Sequence, residues 1–440
     1  MSRKLFDGKK FLIMGLGRFG GGVDCARFVA RLADKVIVTD LADEKKLAGS
    51  VRLLEGIGNI ELHLGGHKEE DFAESDIIIV NPAVPPSSKF LQIARDNKKL
   101  ITSQIEIFFQ LCPAPIIGIT GSNGKSTTTA LTAHLLKAGQ KKVWLSGNIG
   151  NRPLLEILDE ITKDDLIVLE LSSFQLEQLV QIKKSPDIAV ITNLTPNHLD
   201  RHGSFENYCD AKENIFRFQK TDGISIFNAE DTIASKWHDK YSDSRSCIKF
   251  AAGDVPESLA EAFGLPGRFN LANLAAAISV AKHFGLPEDK LKKAIGTFQS
   301  LPHRLELVAE VNAICWYNDS ISTTPESTIA ALGAFAEPVI LIAGGYDKGI
   351  DFAELGGAIT EKCKAVLLLG ATAKKIAASI DGSRTNCQFT SSLAEAVELA
   401  EQIARPGDIV LLSPACASYD MFDNFQHRGQ IFRQLVGNLK

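Results

Sequence analysis

The sequence lacks several features that mark other classes of protein. None of its eight cysteines belongs to a C-x-x-C pair, so buried reduced thiols are expected and not a disulfide framework or zinc site. A net charge of −5 provides no basic surface for nucleic acid. The longest apolar runs are strand-sized, well below the ~18 residues that span a bilayer, and no apolar signal-peptide core follows Met1–Lys10. We therefore expect a cytoplasmic protein with no nucleic-acid partner and no membrane insertion.

Short apolar runs recur along the chain, each followed by a small or polar loop and a helix-like stretch. Apolar strands that alternate with helices form parallel sheets covered on both faces, so the pattern predicts an α/β protein. At roughly 150 residues per domain, the chain of 440 residues is long enough for about three domains. The predicted strands are Phe11–Met14, Val36–Val38, Ile77–Val80, Ile116–Ile119, Val143–Leu145, Leu166–Leu169, Ile188–Ile191, Ile224–Phe227, Val339–Ile342, Val366–Leu369 and Ile409–Leu412.

Two proline-containing segments indicate domain boundaries. Cys112–Pro115 precedes a new strand, and Leu301–Arg304 follows a helix-rich stretch and precedes another series of strands. We predict domains at residues 1–102, 103–303 and 304–440, each built on a mostly parallel sheet. Since ligands bind beyond the carboxyl ends of parallel strands, the residues that follow each strand are the candidate site residues.

The strongest motif is a glycine-rich loop between a strand and a helix. Glycines allow backbone N–H groups to wrap a phosphate chain, a lysine reaches the outer phosphates, and a hydroxyl can hold Mg²⁺. The strict pattern would have glycine where Ile119 stands, so the loop is a shortened P-loop. The competing interpretation is a glycine-rich turn with a surface lysine. The loop consists of Gly121, Ser122, Asn123, Gly124, Lys125, Ser126 and Thr127.

Polar residues near the ends of neighbouring strands could complete a metal site. Glu170 could hold a phosphate-bound Mg²⁺ or could cap the helix that follows. His198 could be a second metal ligand or a loop histidine bonded to backbone. Asn148 could bind a substrate oxygen or serve a turn. Lys212 lies on a later helix, and its spacing alone is typical of a surface lysine.

The first strand is followed by Gly15–Gly20 in the pattern G-x-G-x-x-G, and Asp40 ends the second strand. This fingerprint predicts a diphosphate-containing ligand, which need not be NAD. The last third of the chain offers three further segments at strand ends, one of which carries a lysine suited to an anionic group or to an exposed turn. These segments are Asn318–Ser320, Gly344–Lys348 and Ser413–Asp420.

Together these motifs resemble the Mur ligase family, the ATP-dependent amide ligases of peptidoglycan precursor synthesis. The resemblance spans essentially the whole chain. LELSSFQLE (Leu169–Glu177) and SPACASYDMFDNF (Ser413–Phe425) resemble the D-glutamate-adding member more specifically than the phosphate loop does. It implies a Rossmann-like N-terminal domain, a P-loop-type central ATPase domain and a Rossmann-like C-terminal domain. It further implies a monomer that uses ATP and two Mg²⁺ ions to join UDP-N-acetylmuramoyl-L-alanine to D-glutamate through an acyl phosphate.

The resemblance also implies a role for each candidate residue. Catalysis would involve Lys125, His198, Lys212 and Asn148. ATP would contact the loop Gly121–Thr127 with Asn270, Asn273, Arg304 and Asp319. The UDP-substrate would contact Gly15, Leu16, Gly17, Arg18, Phe19, Asp40 and Asn81. The acceptor amino acid would contact Thr323, Lys348, Ser418, Tyr419 and Phe425. The metal ligands would be Ser126, Glu170, His198 and Lys212, the last as a carbamate.

Two positions depart from the family pattern. Ile321 stands where many relatives carry lysine, and Arg18–Phe19 replaces a pair that is often small. The acceptor is therefore less closely determined than the reaction class. The alternatives are another Mur-type or folylpolyglutamate-type ligase with a different acceptor, an NAD-dependent oxidoreductase based on Gly15–Gly20, and a nucleotide-binding switch without acceptor chemistry.

Overall fold

The chain folds into two compact units in a computed structural model that describes residues 5–18, 20–149 and 152–439. One unit comprises Met1–Ala251 with Ala276–Pro287, and the other comprises Ala252–Ala275 with Glu288–Lys440. The first unit contains two parallel sheets and the second contains one sheet that is mostly parallel. The predicted α/β class with three mostly parallel sheets is confirmed. The boundaries at residues 102 and 303 stay predictions.

The first sheet and its helices occupy the first quarter of the chain. The strands are β1 (Lys10–Met14), β2 (Lys35–Asp40), β3 (Ile60–Leu64), β4 (Ile77–Val80) and β5 (Leu100–Thr102). The helices are α1 (Gly21–Ala30), α2 (Glu44–Arg52), α3 (Glu69–Glu74), α4 (Lys89–Asp96) and α5 (Gln104–Leu111). The strand order is β3-β2-β1-β4-β5. Because the order reverses at β1, the loops that begin at Gly15 and Asn81 meet at the topological switch point.

The second sheet completes the first unit. Its strands are β6 (Ile116–Thr120), β7 (Val143–Gly147), β8 (Leu166–Glu170), β9 (Ile188–Ile191), β10 (Ile224–Asn228) and β11 (Ser246–Phe250). The helices among them are α6 (Lys125–Leu136), α7 (Ser173–Leu179), α8 (Leu199–His202), α9 (Phe205–Arg217) and α10 (Thr232–Tyr241). The order is β11-β10-β9-β6-β8-β7. Strand β6 lies between β9 and β8, so the loops after these three strands are neighbours.

The third sheet forms the core of the second unit. Helices α11 (Glu257–Ala260), α12 (Arg268–His283) and α13 (Glu288–Ile295) precede it in the chain. Its strands are β12 (Glu306–Val311), β13 (Ile314–Asn318), β14 (Val339–Ala343), β15 (Cys363–Leu368), β16 (Asn386–Phe389) and β17 (Ile409–Leu412). Its helices are α14 (Pro325–Leu332), α15 (Ala353–Lys362), α16 (Ala373–Ala378), α17 (Leu393–Ile403) and α18 (Phe425–Gly437). The order is β12-β13-β17-β14-β15-β16, with β12 antiparallel to β13. Strand β17 therefore brings the loops after β13 and β14 beside its own.

All eight cysteines are free thiols. Cys25, Cys363 and Cys416 are buried and the other five are partly buried. Burial raises the pKa of every one of these thiols above its ordinary value. The expectation of reduced, unlinked cysteines therefore agrees with the structure. Among the described helices, none has the length and apolar content needed to cross a membrane.

Candidate active site

The glycine-rich loop leads from β6 into α6 at the middle of the second sheet. Gly121 has φ 149°, and Gly124 has φ 78° at the N-cap of α6. A Cβ on Gly121 would lie 1.9 Å from Thr192 Oγ1, so only glycine fits there. The first turn of a helix leaves backbone N–H groups without intrahelical acceptors. The loop therefore carries the backbone donors and the helix N-terminus that a phosphate chain requires.

The loop that follows β9 holds the glycine-rich loop in place. The backbone N–H of Ser122 donates to the Asn193 carbonyl at 2.8 Å, and that of Asn123 donates to Asn193 Oδ1 at 2.9 Å. The Ser122 hydroxyl donates to the Thr195 carbonyl at 2.9 Å. Lys125 Nζ donates to the Ser122 carbonyl at 2.7 Å, which keeps the ammonium beside its own loop. The predicted phosphate loop is thus held in one conformation by hydrogen bonds within the chain.

Glu170 joins the hydroxyl of the phosphate loop to the end of β7. Its Oε2 accepts from Ser126 Oγ at 2.5 Å, and its Oε1 accepts from Asn148 Nδ2 at 2.9 Å. The Glu170 side chain is buried, whereas Asn148 is exposed. Oxygen donors of this kind suit Mg²⁺, which keeps several waters and binds one or two carboxylates together with substrate phosphates. The structure brings the predicted residues Ser126, Asn148 and Glu170 into one hydrogen-bonded group.

A separate residue caps the helix that follows Glu170. The Ser172 hydroxyl accepts from the backbone N–H of Gln175, and the Gln175 side chain accepts from the backbone N–H of Ser172, which forms a capping box. Glu170 is therefore not needed as the helix cap, which was the alternative interpretation of this carboxylate. Its two oxygens face the phosphate loop and Asn148 instead.

Lys212 is buried beneath the phosphate loop. Only 2% of the residue is exposed, so the interpretation of Lys212 as a surface lysine is wrong. Its Nζ donates to Thr120 Oγ1 at 3.2 Å and lies 4.8 Å from the centre of the Tyr208 ring. Burial lowers the pKa of Lys212 well below its usual range, and the nearby Lys125 cation lowers it further. Burial therefore makes the neutral amine, which is the nucleophilic form, easier to reach here than at an exposed lysine.

His198 and His202 lie in an aromatic cluster beside the loop. The His198 ring meets the Phe174 ring edge-on at 5.3 Å, and the His202 ring stacks on the Phe174 ring at 5.3 Å. His202 Nε2 forms a hydrogen bond with Ser173 Oγ at 3.0 Å. Desolvation lowers the pKa of His198, and so do the nearby lysine charges. His198 is consequently held neutral, the form in which imidazole binds a metal.

The first sheet presents the predicted UDP-substrate residues at its switch point. Asp40 Oδ2 accepts from the backbone N–H of Gly17 at 3.0 Å, and Asp40 Oδ1 accepts from that of Ala42 at 2.8 Å. Asn81 Nδ2 donates to the Gly15 carbonyl at 3.4 Å. Gly15, Gly17, Asp40 and Asn81 therefore form one connected group, in which the aspartate orders the glycine turn.

The remaining residues of this segment differ in their exposure. Leu16 is fully buried, so its side chain belongs to the core and only its backbone is available to a ligand. Arg18 is exposed. Phe19, which the sequence assigned to the same site, lies outside the described residues. The glycine packed most tightly against this turn is Gly22, because a Cβ there would lie 2.4 Å from the Leu16 carbonyl oxygen.

Arg304 and Asp319 are neighbours in the second unit. His303 and Leu305, on either side of Arg304, have φ values of 65° and 42°, which are strained for residues other than glycine. Asp319 Oδ1 accepts from the backbone N–H of Leu305 at 3.2 Å, and Oδ2 accepts from Ser413 Oγ at 2.8 Å. Burial raises the pKa of Asp319 to about 6, although its hydrogen bonds and the Arg304 charge oppose this. The strained turn and the buried carboxylate thus determine where Arg304 is presented.

The predicted acceptor residues gather around the loops that follow β14 and β17. The backbone N–H of Tyr346 donates to the Ala417 carbonyl at 2.8 Å, which pairs the two loops. Tyr346 and Tyr419 are exposed, and their ring centres lie 6.3 Å apart. Ser418 is buried and Lys348 is exposed. Lys348 and Ser418 Oγ form no ion pair or hydrogen bond with any part of the chain that the structure describes.

Three other predicted residues have definite local partners in the second unit. Asn273 Nδ2 donates to Asn270 Oδ1 at 3.2 Å, and Asn270 Nδ2 donates to the Pro266 carbonyl at 2.7 Å. Phe425 meets the His303 ring edge-on at 6.2 Å. Thr323 lies in the turn between β13 and α14 and is partly buried. The structure therefore pairs the two asparagines with each other.

Comparisons with known proteins place this chain in one family. A model of the Mur ligase MurD-like N-terminal domain matches residues 9–103, the Mur ligase middle domain matches 119–281, and the Mur ligase glutamate ligase domain matches 303–416. A UDP-N-acetylmuramoylalanine–D-glutamate ligase from Roseiflexus sp. is 40% identical over 98% of this chain and 98% of its own length. This chain belongs to the Mur ligase family. A ligase of the same name from Thermoanaerobacter sp. is 38% identical over 98% of this chain and 99% of the relative.

Solved Mur ligase structures share the fold of this Mur ligase. UDP-N-acetylmuramate-alanine ligase MurC from Thermotoga maritima aligns with a TM-score of 0.62 at 19% identity, covering 98% of this chain and 100% of that structure. MurF ligase from Thermotoga maritima in complex with ADP aligns with a TM-score of 0.60 at 17% identity, covering 98% and 96%. The resemblance stated from the sequence motifs is confirmed.

In this Mur ligase, sequence reasoning missed two neighbours of Lys212. Thr120 ends β6, and its hydroxyl accepts a hydrogen bond from the lysine amine. Tyr208 lies under the amine, and its hydroxyl is 3.1 Å from Ser122 Oγ. Tyr208 precedes Lys212 by four residues on α9, a spacing that places both on one helix face. That spacing was a signal available in the sequence.

Proposed function

We propose that this Mur ligase joins D-glutamate to UDP-N-acetylmuramoyl-L-alanine in an ATP-dependent, ADP-forming reaction. The γ-phosphate of ATP passes to the L-alanyl carboxylate and gives an acyl phosphate. The amine of D-glutamate then attacks the acyl carbon, inorganic phosphate leaves, and an amide forms. The observation that carries this proposal is the 40% identity over nearly the full length to a relative named for that reaction. The small-molecule substrates and the expected monomer belong to the same proposal.

The phosphate loop supplies the charge that the first step requires. Donor phosphate and acceptor carboxylate are both anionic and repel each other, so cationic groups must lie between them. Lys125, at the start of α6, would leave the Ser122 carbonyl and reach the outer phosphates. The backbone donors at Gly121 and Gly124 would hold the rest of the phosphate chain.

The neighbouring oxygen donors fit Mg²⁺. Glu170 Oε2 and Ser126 Oγ are already 2.5 Å apart, and Asn148 contacts the second carboxylate oxygen. One carboxylate and one hydroxyl suit an ion whose remaining ligands are phosphate oxygens and water. Mg²⁺ would neutralise developing phosphate charge. Glu170 and Ser126 are the residues that would hold one ion, and His198 would serve the other.

Lys212 is the proposed site of a carbamate. Carbon dioxide adds to a neutral amine, and one proton is released as the carbamate forms. The lowered pKa of Lys212 favours that neutral amine, and the Thr120 hydroxyl lies within hydrogen-bond distance of it. The modification would replace a cation by an anionic ligand for a second Mg²⁺ near Lys125 and His198. A protonated Lys212 would repel Lys125, whereas the carbamate would attract it.

A phosphate-release assay tests the reaction. The chain is supplied with ATP, Mg²⁺ and UDP-N-acetylmuramoyl-L-alanine, and a panel of amino acids is added one at a time. Phosphate release that depends on D-glutamate is the expected result, and chelation of Mg²⁺ should abolish it. Turnover with a different amino acid would support a ligase with another acceptor. Ile321, which stands where many relatives carry lysine, is the reason to test other acceptors. No acceptor-dependent turnover at all would contradict the proposal.

The carbamate is tested with Lys212→Ala. Loss of turnover that added short carboxylates partly restore is expected, because a free carboxylate can take the place of the missing anion. Lys220→Ala, at an exposed lysine beyond α9, is the matched control and should keep full activity. The proposed carbamate would be contradicted if carboxylates of several sizes all failed to restore turnover in Lys212→Ala while this variant unfolded at the same temperature as the original chain.

A further inference from the structure

Arg428 is the most deeply buried arginine among the described residues, with 2% of its surface exposed. It lies in the first turn of α18. Its Nε donates to Ser320 Oγ at 3.0 Å and its Nη2 donates to the Ser320 carbonyl at 2.8 Å. Its Nη1 donates to the Cys416 carbonyl at 3.1 Å. One guanidinium therefore joins α18 to the loops that follow β13 and β17.

The charge of Arg428 has no anionic partner within the described part of the chain. Each of its hydrogen bonds goes to a carbonyl or a hydroxyl, and no carboxylate lies within ion-pair distance. The carboxylate that influences it is Asp420, whose Oδ2 accepts from the backbone N–H of Ala371. Burial of an unpaired cation is costly, so such a residue is unusual in a protein core.

The guanidinium remains charged despite its burial. Desolvation lowers the pKa of Arg428 to about 10, which still leaves it protonated at neutral pH. A Cβ on Gly345 would lie 3.4 Å from Nη1, so this edge of the guanidinium faces the glycine turn after β14. In a low-dielectric interior an uncompensated charge acts over a longer range than at the surface.

The residues that Arg428 orders are those around the candidate acceptor site. Cys416 precedes Ser418 by two residues, and the Ser320 hydroxyl donates to the Phe425 carbonyl at 2.8 Å. The glycine turn beside Nη1 leads to Lys348. In this part of the described chain, the Ser418 hydroxyl and the Lys348 ammonium have no hydrogen-bond or ion-pair partner. The unpaired cation thus holds the loops that carry two polar groups without a partner in the described residues.

We propose that Arg428 is a positioning and specificity-determining residue for the acceptor. It fixes the positions of the loops that carry Ser418, Phe425 and Lys348. Its unpaired charge favours an acceptor with a side-chain carboxylate. This inference rests on the proposed ligase function. Arg428 itself would not contact the acceptor. It would act through the carbonyl groups that accept its hydrogen bonds and through the electrostatic field of its charge. The side-chain carboxylate of the acceptor would then compensate a positive charge that the chain alone leaves unpaired.

The test compares Arg428→Met and Arg428→Lys in the full-length chain. D-Glutamate and D-glutamine are the two acceptor probes, since they differ by one charge at similar size. In Arg428→Met, the KM for D-glutamate should rise about ten- to a hundredfold, the range for a lost charged hydrogen-bonding group, while the KM values for ATP and the UDP-substrate stay near those of the unmodified chain. The preference for D-glutamate over D-glutamine should fall. Arg428→Lys keeps the charge without the planar fork, so it should lose turnover but keep the preference.

Two further variants separate this role from a structural one. Arg433→Ala removes an arginine of the same helix whose exposed side chain pairs with Glu306, and it should leave every constant unchanged. Ser320→Ala keeps the Arg428 charge but removes the link to Phe425, and it should raise the KM for D-glutamate selectively. If Arg428→Met does not fold, Ser320→Ala and Arg428→Lys together test the role of Arg428.

The inference would be overturned if Arg428→Lys changed the KM values for D-glutamate, ATP and the UDP-substrate equally. It would also be overturned if Arg428→Met left the preference for D-glutamate over D-glutamine unchanged. If the unmodified chain turns over with another amino acid, the proposed D-glutamate function fails. The role of Arg428 is then tested by the preference of Arg428→Met for that amino acid over the amino acid whose side-chain carboxylate is replaced by an amide. A neutral preferred acceptor would overturn the inference as well.

Discussion

Two buried ionisable residues occupy environments that oppose their charged forms. Desolvation lowers the pKa of Lys212 and raises the pKa of Asp319 to about 6. Both are candidate functional residues, whereas ordinary core positions in this chain are apolar. Perturbed groups of this kind cluster at functional sites, where stability is given up for chemistry.

Asp319→Asn should stabilise the chain at neutral pH and reduce turnover. The folded-state pKa of about 6 lies above the ordinary value of 3.8, so the penalty on the folded carboxylate builds up between these two values and is complete above them. Removing that penalty should add about 1–2 kcal/mol at neutral pH, less than the full shift because one oxygen acceptor becomes an NH₂ donor. The gain should shrink as the pH falls from about 6 and vanish below 3.8, where the residue is protonated in both states. Urea unfolding at several pH values measures it, and a gain independent of pH would contradict the explanation.

Lys125→Ala should abolish most turnover without loss of fold. The residue contacts its own loop, so its removal takes away charge beside the phosphates and leaves core packing intact. A fall in kcat of about 10²–10³ is the typical cost of one transition-state donor. Lys137→Ala, an exposed lysine at the other end of α6, is the control and should retain activity. A parallel fall in the unfolding temperature of Lys125→Ala would indicate a structural role instead.

At the scale of elements, the sequence pattern predicted every interior strand except β13 and failed at most sheet edges. Every predicted strand is present within a few residues. The strands missing from the prediction are β3, β5, β11, β12, β13 and β16. All of them except β13 lie at an edge of their sheet, and β7 is the edge strand that the pattern did predict. Strand β13 alternates between buried and partly buried residues, so it too lacks a continuous apolar run, and only its end was marked, by Asn318–Ser320. An edge strand is covered on fewer sides, so its residues are mixed in burial and its sequence lacks the continuous apolar run of a buried parallel strand.

The site residues could likewise be predicted only where the local sequence carries the signal. Residues that follow apolar strands, such as Lys125 and Glu170, could be predicted because the end of a parallel strand is where ligands bind. The burial of Lys212 could not be predicted from spacing, since it depends on the neighbouring strand β6 and on Tyr208, one turn earlier on α9. Arg428 was not singled out, because nothing local in α18 distinguishes a buried arginine from an exposed one.

Gly22→Ala should disturb the first glycine turn more than substitution of an exposed glycine does. A Cβ there would lie 2.4 Å from the Leu16 carbonyl oxygen, and this backbone cannot move without shifting Gly15 and Gly17. Overpacking of this kind costs about 1–3 kcal/mol, and the KM for the UDP-substrate should rise while that for ATP does not. Gly49→Ala is the control in α2, where no atom lies within 4 Å. It should be neutral or stabilising by up to about 1 kcal/mol.

At the scale of the molecule, the first unit joins two sheets through one buried carboxylate and a shared apolar core. Asp24 on α1 accepts from the backbone N–H groups of Leu155 and Glu156 at 2.8 and 3.1 Å, and from Gln104 Nε2 at 2.5 Å. Leu155 belongs to the same core cluster as residues of the first sheet. The two sheets of this unit are thus expected to unfold together.

Asp24→Ala should weaken that junction. Two backbone donors would lose their acceptor in a buried setting, at a cost of about 1–3 kcal/mol. Arg31→Ala, which removes an exposed ion pair with Asp159 across the same junction, should cost less than about 1 kcal/mol. Urea unfolding followed by tryptophan fluorescence reports the difference, since Trp144 lies on β7 and Trp237 on α10. Equal effects of the two substitutions would contradict a special role for Asp24.

The raised pKa of all eight cysteines has a practical consequence for the labelling of this chain. A thiol reacts with alkylating reagents as its thiolate, so each native cysteine is a slow target at neutral pH. A cysteine placed on the surface, as in Lys137→Cys, would have an ordinary pKa and would react first. A fluorescent or spin probe can therefore be attached at one chosen position while every native thiol stays in place.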